Sequence, residues 1–117
     1  MAPLIISHRG KVDLSSSENS LVGIQEAIDL GVNMIEFDVR NTVNDVLVCY
    51  HDESIKGKPI SHIEYEEMKA LDKNVCKLEE VIELCKNKVG VNVEIKEEGY
   101  EQKIIDLLVP NFSYADI

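Results

Sequence analysis

Ile35-Glu36-Phe37-Asp38-Val39 and Val91-Asn92-Val93-Glu94-Ile95-Lys96 decide the fold. Both alternate strictly, the period of a β-strand whose successive side chains point to opposite faces. In the first, the apolar residues share one face and two carboxylates share the other. In the second, Val91, Val93 and Ile95 oppose Asn92, Glu94 and Lys96. A strand with one solvated face has this pattern. In a chain that alternates strands and helices the pattern gains weight, because parallel strands are normally covered on both faces. Ionised groups there require a partner or a metal. Three carboxylates offer oxygen ligands, which suit a hard cation, Mg²⁺ or Ca²⁺, better than zinc.

Outward from these strands the elements alternate. An apolar run, Leu4 to Ile6, ends in Ser7-His8-Arg9-Gly10, and a polar loop follows, Lys11 to Asn19. Leu21, Ile24 and Ile28 recur at helical spacing, with Gly31 as the C-terminal cap. Val46 to Tyr50 is a further strand. Only Arg40 to Asp45 separates it from the strand ending near Val39, and a parallel crossover needs about a dozen residues or more. The connection is therefore a hairpin, with its turn at Asn44-Asp45. That turn places His51 opposite Asp38, on the same face. A capping box, Ser61-x-x-Glu64, predicts a helix start. Another helix is predicted from about Leu78 to Lys88, and a last one from Tyr100 to Val109, stopped by Pro110. The order β-α-β-β-α-α-β-α reads as one α/β domain over residues 1–117, with about four strands.

The chain carries 22 Asp and Glu against 12 Lys and Arg, a formal net charge of −10. That balance disfavours nucleic-acid backbones, which need clustered cations. It does not exclude a small phosphate-containing substrate, since a metal inverts the local field. No apolar run reaches the ~20 residues of a membrane span. No signal peptide is visible, which points to the cytoplasm. Cys49, Cys76 and Cys85 form no disulfide framework and no CxxC. Cys85 reads as helix core, Cys49 as strand and Cys76 as loop.

His8 and His51 end two of the predicted strands, each beside a charged neighbour, Arg9 or Asp52. Two imidazoles around a metal suggest an acid/base pair. Arg9 and Lys96 are placed to hold an anionic group, or else to serve as counter-charges for the carboxylates.

His8-Arg9-Gly10, Glu18-Asn19, Ile35-Glu36-x-Asp38-Val39, Thr42, His51-Asp52, Leu78-Glu79-Glu80-Val81 and Glu94-Ile95-Lys96 together resemble, in this order, the glycerophosphodiester phosphodiesterases. The resemblance covers Leu4 to about Leu108. It implies a TIM barrel with a metal-dependent site at the C-terminal ends of the strands. Glu36, Asp38 and Glu94 would hold the metal, His8 and His51 would be the acid/base pair, and Arg9 and Lys96 would bind the phosphate. The implied reaction hydrolyses glycerophosphodiesters to an alcohol and sn-glycerol 3-phosphate. The family's Pro-Glu-Asn-Thr stands here as Ser17-Glu18-Asn19-Ser20, its Asp-Gly turn as Asn44-Asp45, and the insertion after its His-Asp motif shrinks to Glu53–Pro59.

A TIM barrel takes about 250 residues, and the chain has 117. The resemblance therefore implies a partial barrel, either a piece of a longer protein or a half that must pair. The Val91–Lys96 strand would have an open edge that invites a second copy. A non-catalytic half-barrel acting as an assembly module is the alternative.

Overall fold

The computed structural model describes residues 5–10, 18–113 and 117. Leu4 and the polar segment 11–17 lie outside the described residues.

The first strand, β1, is short, Ile6–Ser7, and turns directly into a 3₁₀ turn over His8–Gly10. Helix α1 (Leu21–Asp29) starts at Ser20, whose hydroxyl accepts the Gly23 amide at 3.1 Å. This is a conventional N-cap. Gly31 follows with φ +83°, the left-handed conformation that suits glycine just past a helix. Strand β2 (Met34–Asn41) is the longest, and β3 (Leu47–Cys49) folds back on it antiparallel. Two-residue strands β4 (Ser54–Ile55) and β5 (Lys58–Pro59) form a small hairpin. Helix α2 (Tyr65–Leu71), strand β6 (Cys76–Lys77), helix α3 (Leu78–Cys85), strand β7 (Gly90–Ile95) and helix α4 (Glu101–Leu108) complete the order.

β2 is the hub. Met34 pairs with both Ile6 and Gly90, and Val39 pairs with both Cys49 and Ile95. β7 thus takes one whole edge of β2, in parallel from Met34↔Gly90 to Val39↔Ile95. β1 and β3 share the other edge, running towards each other. β6 extends the sheet beyond β3.

The alternation is realised as expected. Ile35, Phe37, Val39 and Val91 are fully buried beneath Ile24 and Ala27 of α1, Leu78, Val81 and Ile82 of α3, and Ile104 and Leu108 of α4. Each large apolar side chain so buried contributes roughly 1.5–3 kcal/mol. A second apolar cluster, Val48, Ile55, Ile60, Ile63, Met68 and Val75, forms on the opposite side of β3. Val48 is the cross-strand partner of Arg40, so this cluster stands on the carboxylate-bearing face of the sheet. The short Glu53–Pro59 segment thus supplies part of a satellite core beside the polar face.

Three local expectations are corrected. The hairpin loop holds three residues, Val43-Asn44-Asp45, closed by Thr42 N–H to the Val46 carbonyl at 3.1 Å, with Asp45 at φ +64°. A turn followed by a left-handed residue is the usual three-residue solution. The extra residue shifts the register by one, so Tyr50, not His51, meets Asp38: Tyr50 N–H reaches the Asp38 carbonyl at 3.0 Å. Ser61 does not open an α-helix. Ile60–His62 is a 3₁₀ turn, and α2 starts after Glu64 with no side-chain cap. Where the chain does use a reaching glutamate, it is Glu80, whose carboxylate accepts the Lys77 amide at 2.9 Å. Cys76 lies in β6, paired with Cys49, and both are buried.

Among the described residues, no helix is long and apolar enough to cross a membrane.

Candidate active site

The β2–β7 register sets the floor of the site. Asp38 and Glu94 are direct partners across the ladder, and Glu36 lies two residues back on the same face. One carboxylate oxygen from each of the three lies within 4.8 Å of the others. Asp38 is buried, 1% exposed, while Glu94 reaches towards solvent.

Two cations border this cluster. Lys96 Nζ lies 3.0 Å from Glu94 Oε1 and 3.5 Å from Asp38 Oδ1. The bond to Glu94 is the main reason its ammonium holds its proton more tightly than usual. Arg9 Nη1 bonds Glu18 Oε2 at 2.7 Å, and its Nε stands 3.8 Å from Asp38 Oδ2. Its pKa is raised chiefly by the Glu18 bond. Arg9 has φ +55°, a backbone state uncommon for non-glycine residues and found at functional sites. This turn directs its amide to Glu36 Oε2 at 3.2 Å.

Asn19 is a site residue that the pattern of charges did not single out. It is buried, at φ +53°. Its Nδ2 donates to Asp38 Oδ2 at 3.1 Å, and its Oδ1 accepts the Asp38 amide at 3.2 Å. Its own amide reaches the Arg9 carbonyl at 2.6 Å, and its carbonyl accepts the Cys76 thiol at 3.2 Å. Asn19 therefore holds Asp38 by both backbone and side chain. The signal available in sequence was its place beside Glu18 in the resemblance.

The histidines stand on the rim. β1 and β3 approach each other along one edge of β2 and end just before His8 and His51. His8 is largely exposed, with Nδ1 3.6 Å from Glu36 Oε2, beyond hydrogen-bond reach. His51 Nδ1 lies 2.8 Å from Asp52 Oδ1. With Asp52 ionised, that bond favours the tautomer with the proton on Nδ1, leaving Nε2 as an acceptor. Arg40, next on the same face after Asp38, is buried and donates to the His51 carbonyl.

Glu36 Oε1 and Asp38 Oδ1 are buried oxygens without a hydrogen-bond partner. Such groups are rare and call for an explanation. Glu18, Glu36, Asp38 and Glu94 carry four negative charges against two on Arg9 and Lys96. The balance over these six groups, −2 with both histidines neutral, is what one divalent cation cancels. All-oxygen donors, orphaned oxygens and net charge together fit a hard divalent cation. Cys49 and Cys85 are not nucleophiles for this chemistry. Burial pushes the Cys85 thiol up to about 12 and raises Cys49 well above its ordinary value, the opposite of an activated nucleophile.

Residues 8–111 match the model of the glycerophosphoryl diester phosphodiesterase family. The chain belongs to that family. A glycerophosphodiester phosphodiesterase of Caldanaerobacter subterraneus subsp. tengcongensis is 32% identical over 127 aligned positions, which cover 90% of this chain and 52% of that protein. The crystal structure of a glycerophosphodiester phosphodiesterase from Thermotoga maritima matches with a TM-score of 0.85 at 28% identity, over 95% of this chain and 52% of that one. A phosphodiesterase of Oleispira antarctica, solved with its product sn-glycerol-3-phosphate, shares the fold, with a TM-score of 0.79 at 22% identity over 96% of this chain and 54% of that one. The chain spans about half the length of these three relatives, and its fold is a partial TIM barrel.

Proposed function

We propose that the chain carries the metal-dependent active site of a glycerophosphodiester phosphodiesterase, cleaving a small glycerophosphodiester to an alcohol and sn-glycerol 3-phosphate. The single observation that carries the reading is the convergence of Glu36, Asp38 and Glu94, with Glu36 Oε1 buried without a hydrogen-bond partner and Asp38 Oδ1 buried with Lys96 Nζ 3.5 Å away. In this reading those three residues hold Mg²⁺ or Ca²⁺. When bound, the cation supplies charge neutralisation at phosphorus and lowers the pKa of the attacking hydroxyl.

The remaining steps belong to the protein's own residues. Arg9 and Lys96 orient the phosphodiester, the first as a fork and the second as a point charge. His51, with Nδ1 turned to Asp52, takes the proton of the glycerol 2-hydroxyl at Nε2. His8, on the facing strand end, gives a proton to the leaving alcohol oxygen. The freed 2-oxygen attacks phosphorus and closes a cyclic phosphate as the bond to the alcohol oxygen breaks; water, giving a proton to His8, then opens that ring while His51 returns its proton to the 2-oxygen. The work would belong to lipid and glycerol metabolism.

We also infer that the active form is a homodimer. Among the described residues β7 has β2 as its one neighbour, Ile95 is exposed, and an open strand edge favours pairing. A second copy is the simplest occupant.

The experiment is release of sn-glycerol 3-phosphate from glycerophosphocholine by the purified chain, with Mg²⁺ or Ca²⁺ and again with a chelator. Metal-dependent release supports the reading. A folded, metal-loaded chain that releases none would favour a non-catalytic assembly module. Light scattering tests the dimer, and a monodisperse monomer at tens of micromolar would end that part.

A further inference from the structure

We propose that Arg40 is the positioning residue of this site: its guanidinium fixes where His51 stands relative to the carboxylates of β2 and β7. The inference rests on the phosphodiesterase reading for what His51 does, though not for where His51 is held.

His51 lies past the end of β3. The sheet's last bond to this stretch comes from the amide of Tyr50, one residue earlier. The ring of His51 bonds Asp52, whose own side chain is 70% exposed, so that pair does not anchor the residue. Arg40 does. Its Nε and Nη2 both donate to the His51 carbonyl, at 3.1 and 2.8 Å. The third nitrogen, Nη1, pairs with Glu97 Oε2 at 3.3 Å, and the Arg40 side chain is only 11% exposed.

Glu97 is held in turn. The Tyr100 hydroxyl lies 3.2 Å from Glu97 Oε1 and 3.0 Å from the Val39 carbonyl. Glu97 directly follows Lys96 and lies three residues after Glu94, in the segment between β7 and α4. One side chain on β2 thus ties together the segment bearing His51 and the segment bearing Glu94 and Lys96. Only a planar fork of donors can satisfy one carbonyl twice and still reach a carboxylate; an ammonium on a flexible stem cannot.

The test is the imidazole ¹H–¹³C spectrum of the whole chain, which has three histidines, His8, His51 and His62. The His51 signal is assigned by its loss in His51→Gln. Arg40→Lys and Glu97→Gln are then compared with wild type. The His51 signal is expected to shift or broaden in both, more in Arg40→Lys, while His62 stays in place and Mg²⁺ affinity stays close to wild type. Where hydrolysis of glycerophosphocholine is measurable, kcat should fall by up to roughly 10²-fold, as for a misplacement of about 1 Å, with KM changed far less. A His51 signal superimposable on wild type in the folded variants overturns the proposal. Should Arg40→Lys not fold, Glu97→Gln alone decides on the same criterion. A wild-type chain without hydrolysis would count against the phosphodiesterase reading, and the His51 signal would still decide the clamp.

Discussion

The floor and the rim of the site are built by different means. Glu36, Asp38 and Glu94 stand on two strands locked in register, with Phe37 and Val91 buried behind them. Moving any one of them would require a slip of the ladder, which would turn the apolar set out of the core. His8 and His51 stand beyond the last pairs of β1 and β3, held by turns and, at His51, by Arg40. The floor is thus fixed by the same contacts that fold the domain. The rim is fixed by a few polar contacts that the core does not need. It follows that damage to the floor should appear first in metal affinity, and damage to the rim in turnover.

The largest separable effect is expected at the rim. His8→Ala and His51→Ala should each lower turnover by about 10²–10⁴-fold, the usual worth of general acid/base catalysis. Metal affinity, read by calorimetric titration, should stay close to wild type. A histidine variant that loses metal binding instead would merge the two regions.

Asn19→Ala tests the floor without removing a carboxylate. It strips both hydrogen bonds from Asp38 and leaves the buried Asp38 amide unpaired. Metal affinity should fall by roughly 10–100-fold, the typical cost of losing an outer-shell contact. Stability in a urea melt should fall by about 1–3 kcal/mol. An unchanged affinity would mean that the ladder alone orients Asp38.

The smallest effect is expected one residue further on. Ser20→Ala removes the N-cap of α1, and should cost about 1 kcal/mol in the same melt. Metal affinity should change far less than in Asn19→Ala, because the bond lost with the cap, Ser20 Oγ to the Gly23 amide, involves none of the three carboxylates. A loss of affinity would show that the start of α1 and the Asp38 pocket move as one.

The same division explains what could be read from the sequence. Strand alternation is a period-2 signal: it puts Glu36 with Asp38 on one side of their strand and Glu94 with Lys96 on one side of theirs, and the β2–β7 pairing brings the two sides together. The shortness of the Arg40–Asp45 link was enough to require a hairpin. It was not enough to count the loop, because Asn44-Asp45 suits a two-residue turn as well as the three-residue one that forms, and one residue of difference moved His51 off Asp38. The two-residue strands β4, β5 and β6 are too short to carry any period, so Cys76 read as loop. Ser61-x-x-Glu64 has the letters of a capping box, but the turn at Ile60–His62 is dictated by the burial of Ile60 and Ile63 in the satellite cluster. Asn19 stands in the resemblance beside Glu18, but neither its role nor that of Arg40 follows from the sequence, because both act through contacts with Asp38 or His51 that no spacing rule reports.

The most direct test of the central claim is a calorimetric titration of Mg²⁺ and Ca²⁺ into the wild-type chain and into Asp38→Asn, with folding of both checked by circular dichroism. One divalent ion is expected to bind each wild-type chain. Binding to Asp38→Asn is expected to weaken by more than the ~10–100-fold typical of an outer-shell change. Equal binding by the two folded proteins, or none by the wild type, would contradict the assignment of Glu36, Asp38 and Glu94 as a metal site.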